Sequence, residues 1–149
     1  MPTIDADAHV VETDRTWEFM SAGDFDAEGT GPFALAQFLA GQDYNGLNSG
    51  GPNPGDPAMA LAVPVEQYRT SYIFPAPPSY NLNYVNVTAP AGIEVTLDGT
   101  PIPAASFTPI GAGEYTVARV SLQAGTHNIS AAKQFGIAIK HRRVVPGVT

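Results

Sequence analysis

Apolar and polar residues alternate along the middle of the chain with the two-residue period of β-strands. Side chains two positions apart lie on the same side of a strand. The residues that share one largely aromatic face of a strand in this stretch are Tyr68, Thr70, Tyr72 and Phe74. In residues 93–97, the positions expected in the core are Ile93, Val95 and Leu97. The Asp98-Gly99 pair that follows favours the positive φ angles of a tight hairpin turn, so a core strand and its turn are predicted side by side.

Clusters of Gly, Pro, Asn and Ser interrupt these runs at the short intervals typical of an antiparallel β-domain. The strands predicted in the second half of the chain span residues 84–88, 93–97, 114–122, 126–132 and 135–139. Lys133-Gln134 is interpreted as the break between the last two. Pro75, Pro77 and Pro78 are expected to end the strand that contains Tyr72, because proline has no N–H for a sheet ladder.

The apolar run at residues 34–39 lacks alternation and predicts a strand buried on both faces, with a short helix over 33–39 as the alternative. Gly (15) and Pro (14) are abundant in the chain of 149 residues, which suits many turns and few helices. The expected fold class is therefore all-β: an antiparallel β-sandwich or related two-sheet β-domain in one domain, complete or incomplete.

The charge and cysteine content exclude several classes of function. A net charge of -7 opposes binding to nucleic acid or to an anionic membrane, and no apolar run is long enough for membrane insertion. The absence of cysteine rules out disulfides and thiolate metal sites. No signal peptide is visible, because Asp5, Asp7 and Glu12 stand where one would need a basic start and an apolar centre. Of a cytoplasmic segment and a piece of a longer secreted parent, we favour the second.

One short motif near the start suggests catalysis. Residues 4–12 resemble the first strand of amidohydrolase-type metal-dependent hydrolases, in which Asp7 and His9 would lie on the same side of a strand and share one metal ion. A catalytic zinc usually needs a third protein ligand, and the barrel of that family takes about 200 residues or more. We therefore expect no enzyme, no metal and no cofactor, and we interpret residues 1–15 as an acidic N-terminal segment.

Three blocks in the same order resemble a known family. They read GDPAMALAVPVEQYRTSYIF, YVNVTAPAGIEVTLDG and IGAGEYTVARVSLQAGTHNISAAKQFGI, and the resemblance spans residues 17–137. They are similar to the N-terminal domain of IgG-Fc-binding proteins, found in a mucus-associated Fc-binding protein and in bacterial extracellular proteins. The resemblance implies a β-domain over residues 16–139, followed by a basic tail over 140–149.

The resemblance also implies a function: non-catalytic recognition or adhesion at the cell surface or outside the cell, by a module with flanking domains in a longer chain. Its partner would be a protein or a glycan, and loops at residues 43–57 and 75–83 are the expected contacts. The candidate binding residues are Tyr44, Asn45, Asn48, Asn53, Tyr80, Asn81 and Asn83. Two alternatives remain open at this point, a structural spacer without a ligand and a fragment of a metal-dependent amidohydrolase.

Overall fold

The computed structural model describes residues 21, 23–29, 31–39 and 58–142, and these residues are mostly β-structure. The strands are β1 (Ala36–Leu39), β2 (Ala58–Leu61), β3 (Arg69–Ala76), β4 (Leu82–Pro90), β5 (Val95–Leu97), β6 (Thr100–Pro101), β7 (Phe107–Ile110), β8 (Tyr115–Leu122) and β9 (Gly125–Arg142). Short 3₁₀ turns cover Val65–Gln67 and Ala104–Ser106. In the described part of the chain, no helix has the length and apolar character needed to span a membrane. The all-β prediction is confirmed.

The long strand β9 organises the fold. Seven strands form one antiparallel sheet. Six of them follow the order β6-β5-β9-β4-β8-β7, and the seventh, β3, also pairs with β9. The first part of β9 lies between β3 and β5, with Ile129 paired to both Tyr72 and Leu97. The second part pairs with β4, from Gly136 to Arg142. Because one strand serves both groups of neighbours, the sheet curls around a common core.

The predicted break at Lys133-Gln134 is wrong, because β9 continues through these residues. Arg69 of β3 pairs with Phe135 and Ser71 pairs with Ser130, so residues 131–134 of β9 lie opposite the single residue Thr70. This is a large β-bulge, in which extra residues leave the ladder and the strand bends. The polar pair that suggested a turn therefore marks the place where β9 passes from one set of partners to the other.

Pro75 does not end its strand, since it pairs with Thr126 inside β3. The Asp98 N–H donates to the Asn128 carbonyl oxygen at 2.8 Å, so Asn128 directs its backbone groups toward β5. Backbone groups alternate in direction along a strand, so Thr126 also directs its groups toward β5, and its partner Pro75 directs its own away from β9. No ladder hydrogen bond is lost, because a proline N–H would have faced the open edge of β3.

The core lies between the two groups of strands around β9. Val85, Val87 and Ala89 of β4 are completely buried, and the residues between them are half-buried. The other members of the buried cluster are Phe74, Ala76, Val95, Ile102, Ala118, Leu122, Ile129 and Phe135. The predicted core positions of this segment are confirmed: Val95 is buried, and Ile93 and Leu97 pack against the cluster. On the other face, Glu94 and Asp98 are exposed, whereas Thr96 is half-buried.

The strand predicted at residues 34–39 is confirmed as β1, but its burial on both faces is not. β1 pairs with β2 in a separate two-stranded sheet, and Phe38 in it is 71 % exposed. The lack of alternation predicts burial on both faces, whereas in the described residues no strand of the large sheet hydrogen-bonds to this ribbon.

Candidate recognition site

The β9 bulge is held in place by one tyrosine. The Tyr72 hydroxyl accepts the Arg69 N–H at 2.9 Å and donates to the Phe135 carbonyl oxygen at 2.6 Å. Its ring also packs edge-on against the ring of Phe135, with centroids 5.2 Å apart. A side chain thus replaces the ladder hydrogen bonds at the point where β3 and β9 lose register, and it fixes the direction of the bulge.

A shallow cleft of about 570 Å³ lies beside the bulge. It is lined by Val65, Tyr68, Thr70, Pro90, Tyr115, Ala132, Lys133 and Gln134. We call it the bulge cleft. Its residues come from the turn before β3, from β3 itself, from the end of β4, from the start of β8 and from the bulge, so the curl of the sheet creates it.

Tyr68 forms the floor of the bulge cleft. The residue is 9 % exposed, and its ring meets the ring of Tyr115 edge-on, with centroids 6.4 Å apart. The Tyr68 ring packs directly on Gly136, where a side chain would not fit, because a Cβ at that residue would overlap the ring. Burial raises the pKa of the Tyr68 hydroxyl, and Tyr115 adds to the rise, while a hydrogen bond with Thr88 opposes it. The hydroxyl is therefore a neutral hydrogen-bonding group.

The rim of the bulge cleft is polar. Residues 132–134 of β9 have no cross-strand partner among the described residues, so their backbone N–H and C=O groups are not used in a ladder. The Lys133 and Gln134 side chains are exposed. An apolar aromatic floor with convergent polar groups is the usual composition of a contact site, and bulges often direct side chains toward such sites.

The predicted candidates Tyr80 and Asn83 lie at the opposite end of β4, and the structure joins them through His141. Tyr80 is 39 % exposed and stacks on the His141 ring, with centroids 5.1 Å apart. The His141 Nδ1 lies 2.7 Å from the Asn83 amide oxygen, and the Asn83 amide donates to the Pro77 carbonyl oxygen at 3.3 Å. Asn83 is almost completely buried. Asn83 therefore supports the loop, while Tyr80 presents an accessible ring; Asn81 lies exposed between them.

The other predicted candidates lie outside the described residues. They are Tyr44, Asn45, Asn48 and Asn53, together with Asp7 and His9 of the hydrolase alternative. Within the described ranges, no group of three or more His, Asp or Glu side chains comes together in a way that could hold a metal ion.

The structure shows an ion pair that sequence reasoning missed. His127 Nδ1 lies 2.7 Å from Asp98 Oδ2, and its Nε2 lies 2.8 Å from the Gln123 carbonyl oxygen. A carbonyl oxygen and a carboxylate both accept hydrogen bonds, so this geometry favours the protonated ring, in which both nitrogens donate. The hydrogen bond to Asp98 raises the pKa of His127. The backbone N–H of Asn128, followed by His127, lowers the pKa of Asp98. The pair joins the β5–β6 turn to the start of β9.

Comparison with known proteins identifies the family of the chain. Residues 2–139 match the family described as IgGFc binding protein, which covers nearly the whole chain and includes Asp7 and His9. This family is a non-enzymatic family of binding domains, typically extracellular, and it implies a protein ligand. Neither the comparison with curated proteins nor that with solved structures gave a match. The chain belongs to the IgGFc-binding protein family.

Proposed function

We propose that the chain is a non-catalytic, extracellular protein-recognition module, and that the bulge cleft is its contact surface. The observation that carries the proposal is the bulge itself, which leaves the backbone of residues 132–134 without a strand partner beside two tyrosine rings. The family supports a protein as the ligand. A shallow cleft of this kind suits a segment of a protein surface better than an enclosed small molecule.

The chemistry of the bulge cleft fits such a contact. Tyrosine rings supply large contact areas at a low cost in conformational entropy. Tyr68 is buried, and its ring packs edge-on against the half-buried Tyr115, so the accessible part of Tyr115 is held in place before a ligand arrives. Lys133 and Gln134 add a cation and an amide at the rim, where they set the orientation of the ligand.

The loop residues named from sequence remain predictions of a second contact. Tyr80 is the strongest of them, because its stacked and exposed ring suits a sugar or an apolar side chain. The Pro90 end of β4 borders the bulge cleft, whereas Tyr80 lies by the Leu82 end, roughly 26 Å away along the strand. A ligand that uses both surfaces must be larger than a short peptide.

The test is a binding measurement on the complete chain by biolayer interferometry. The probes are the purified Fc fragment of immunoglobulin G, which the family description names, and a set of purified extracellular glycoproteins. For a probe that binds, Lys133→Glu should weaken binding about tenfold or more. Lys140→Glu makes the same charge change on β9 away from the cleft and should have little effect.

The outcomes separate the proposals. Loss of binding in Tyr80→Ala with no change in Lys133→Glu would move the contact to the Tyr80 loop. Binding of none of the probes by a folded chain would favour the structural spacer.

A further inference from the structure

The outer edge of β3 carries hydrogen-bonding groups that no described strand uses. Ser71, Ile73 and Pro75 pair with Ser130, Asn128 and Thr126 of β9. The Asn128 backbone faces β5, as its bond from the Asp98 N–H shows, and the alternation along β9 directs Ser130 and Thr126 the same way. Their partners on β3 therefore direct their backbone groups away from β9. The open edge offers two N–H groups, at Ser71 and Ile73, and three carbonyl groups.

This edge is also apolar and uncharged. Ile73 is 76 % exposed, the highest value among the exposed large apolar side chains of the described residues. No charged residue occurs from Thr70 to Ala76. Edge strands are normally protected by charges, prolines or bulges. On β3 the bulge lies at Thr70 and the proline at position 75, so the stretch between them has no such protection.

We propose that β3 pairs antiparallel with β3 of a second copy of this chain, about a two-fold axis at Ile73. In this register, Ile73 lies opposite Ile73 of the second copy, and each donates its N–H to the carbonyl of the other. Ser71 lies opposite Pro75 of the second copy and donates its N–H to that carbonyl. Every N–H on the edge is satisfied, and Pro75 has none to leave unpaired. The edge is thus complementary to itself, as a two-fold interface requires.

The charges of the chain favour the same contact. Two copies with a net charge of -7 repel each other over most approaches. The β3 edge has no acidic residue, and Arg69 would lie opposite Pro77 of the second copy, so no like charges face each other. The seven-stranded sheet would then continue through the dimer. This assembly is independent of any ligand at the bulge cleft.

The absence of native cysteine allows a direct test by oxidative crosslinking of the complete chain. In the proposed register, Ile73→Cys lies opposite its own copy at a Cα separation of about 5.5 Å, within the range of a disulfide. Ser71→Cys is the matched control on the same edge, because its copies lie roughly 13 Å apart along the strand. We expect the crosslinked fraction of Ile73→Cys to exceed that of Ser71→Cys by about fivefold or more. Equal crosslinking of the two variants would overturn the register.

Sedimentation velocity over a range of concentrations tests the pairing itself. The unmodified chain should show a dimer that increases with concentration. Ile73→Pro keeps an apolar side chain and the β9 ladder but removes the N–H that the dimer uses, so it should remain monomeric. Met59→Pro on β2 is the matched control. The Ala62 N–H donates to the Leu35 carbonyl oxygen, so the alternation along β2 directs the Met59 N–H away from β1, and its loss also leaves a ladder intact. A monomer at every concentration in the unmodified chain, or a dimer retained in Ile73→Pro, would overturn the proposal.

Discussion

β3 and β4 both pair antiparallel with β9, but only β4 has a partner strand along each of its two edges. β4 pairs with β8 on one side and β9 on the other, and its burial alternates without exception. β3 pairs with β9 alone among the described strands, and its alternation fails at Thr70, which is exposed on the otherwise buried face. Two partners fix the register of a strand, whereas one partner permits a bulge and leaves an edge for other contacts.

Phe135 lies at the point where β9 changes from pairing with β3 to pairing with β4, and its loss should have the largest effect. The ring is completely buried in the core cluster and contacts Tyr72. Phe135→Ala should lower the free energy of unfolding by about 3 to 5 kcal/mol, through lost burial and a cavity. Phe38→Ala removes an exposed ring of the same size and should cost less than about 0.5 kcal/mol. Urea unfolding measures both, and similar losses would mean that the core is misplaced.

A second pair of variants compares the two strands directly. Val87 of β4 is completely buried, whereas Ile73 of β3 is 76 % exposed. Val87→Ala should cost about 1 to 3 kcal/mol, and Ile73→Ala, the larger truncation, should stay within about 0.5 kcal/mol. The measurement is denaturant unfolding at a concentration where the chain is monomeric. A greater loss for Ile73→Ala would show that the β3 edge is covered.

The Tyr72 hydroxyl provides a more limited test of the edge strand. Tyr72→Phe keeps the ring contact with Phe135 but removes the group that bonds Arg69 and Phe135 across the bulge. Loss of these hydrogen bonds should lower stability by about 1 to 2 kcal/mol. Thermal unfolding gives the size of the loss, with Tyr84→Phe as the control on β4. No difference between the two variants would mean that the hydroxyl does not hold the bulge.

The smallest expected effect is a pH dependence of stability from the His127–Asp98 pair, in which the Asp98 side chain is 46 % exposed. The pKa of His127 is raised above the usual value of 6.5. Its contribution to stability is therefore complete below that value and is lost as the pH rises through the raised pKa. Asp98, with a lowered pKa, loses its contribution only as the pH falls through that lower pKa.

Urea unfolding at about pH 6 and about pH 9 should show lower stability at the higher pH. Asp98→Asn should reduce this dependence. His141→Gln, which changes a histidine bonded to an amide, should retain it. A dependence unchanged in Asp98→Asn would show that another group is responsible.

The features that could be predicted from the sequence are those that depend on neighbouring residues. Alternation of side chains in β4 and β5, and the Asp98-Gly99 turn, follow from the preferences of neighbouring residues, and the structure shows them: Asp98 and Gly99 both have positive φ. Lys133-Gln134 was misjudged because a bulge and a turn use the same polar residues, and only the partner strand distinguishes them. The exposure of Phe38 was missed because an apolar run does not show whether anything packs against it.

The bulge cleft and the His127–Asp98 pair could not be predicted because their residues are distant in sequence. Tyr68 meets Tyr115 and Gly136 only after β9 has curled the sheet. Asp98 lies in the β5–β6 turn, whereas His127 lies in β9, 29 positions further along the chain. Tyr80 and Asn83 are candidates from the sequence because one short stretch contains both, but their partner His141 lies at the far end of β9.

The claim that joins the fold to the proposed function is that β9 is one strand with an unpaired bulge. Hydrogen exchange of backbone amides, followed by NMR on the monomeric chain, tests it most directly. The amides of Ile129 and Ala138, in the β3 and β4 ladders, should both be protected. Those of residues 132–134 should exchange at least about 100-fold faster. Protection of residues 132–134 equal to that of their flanks would contradict the account, because neither the bulge nor the open backbone of the cleft would then exist.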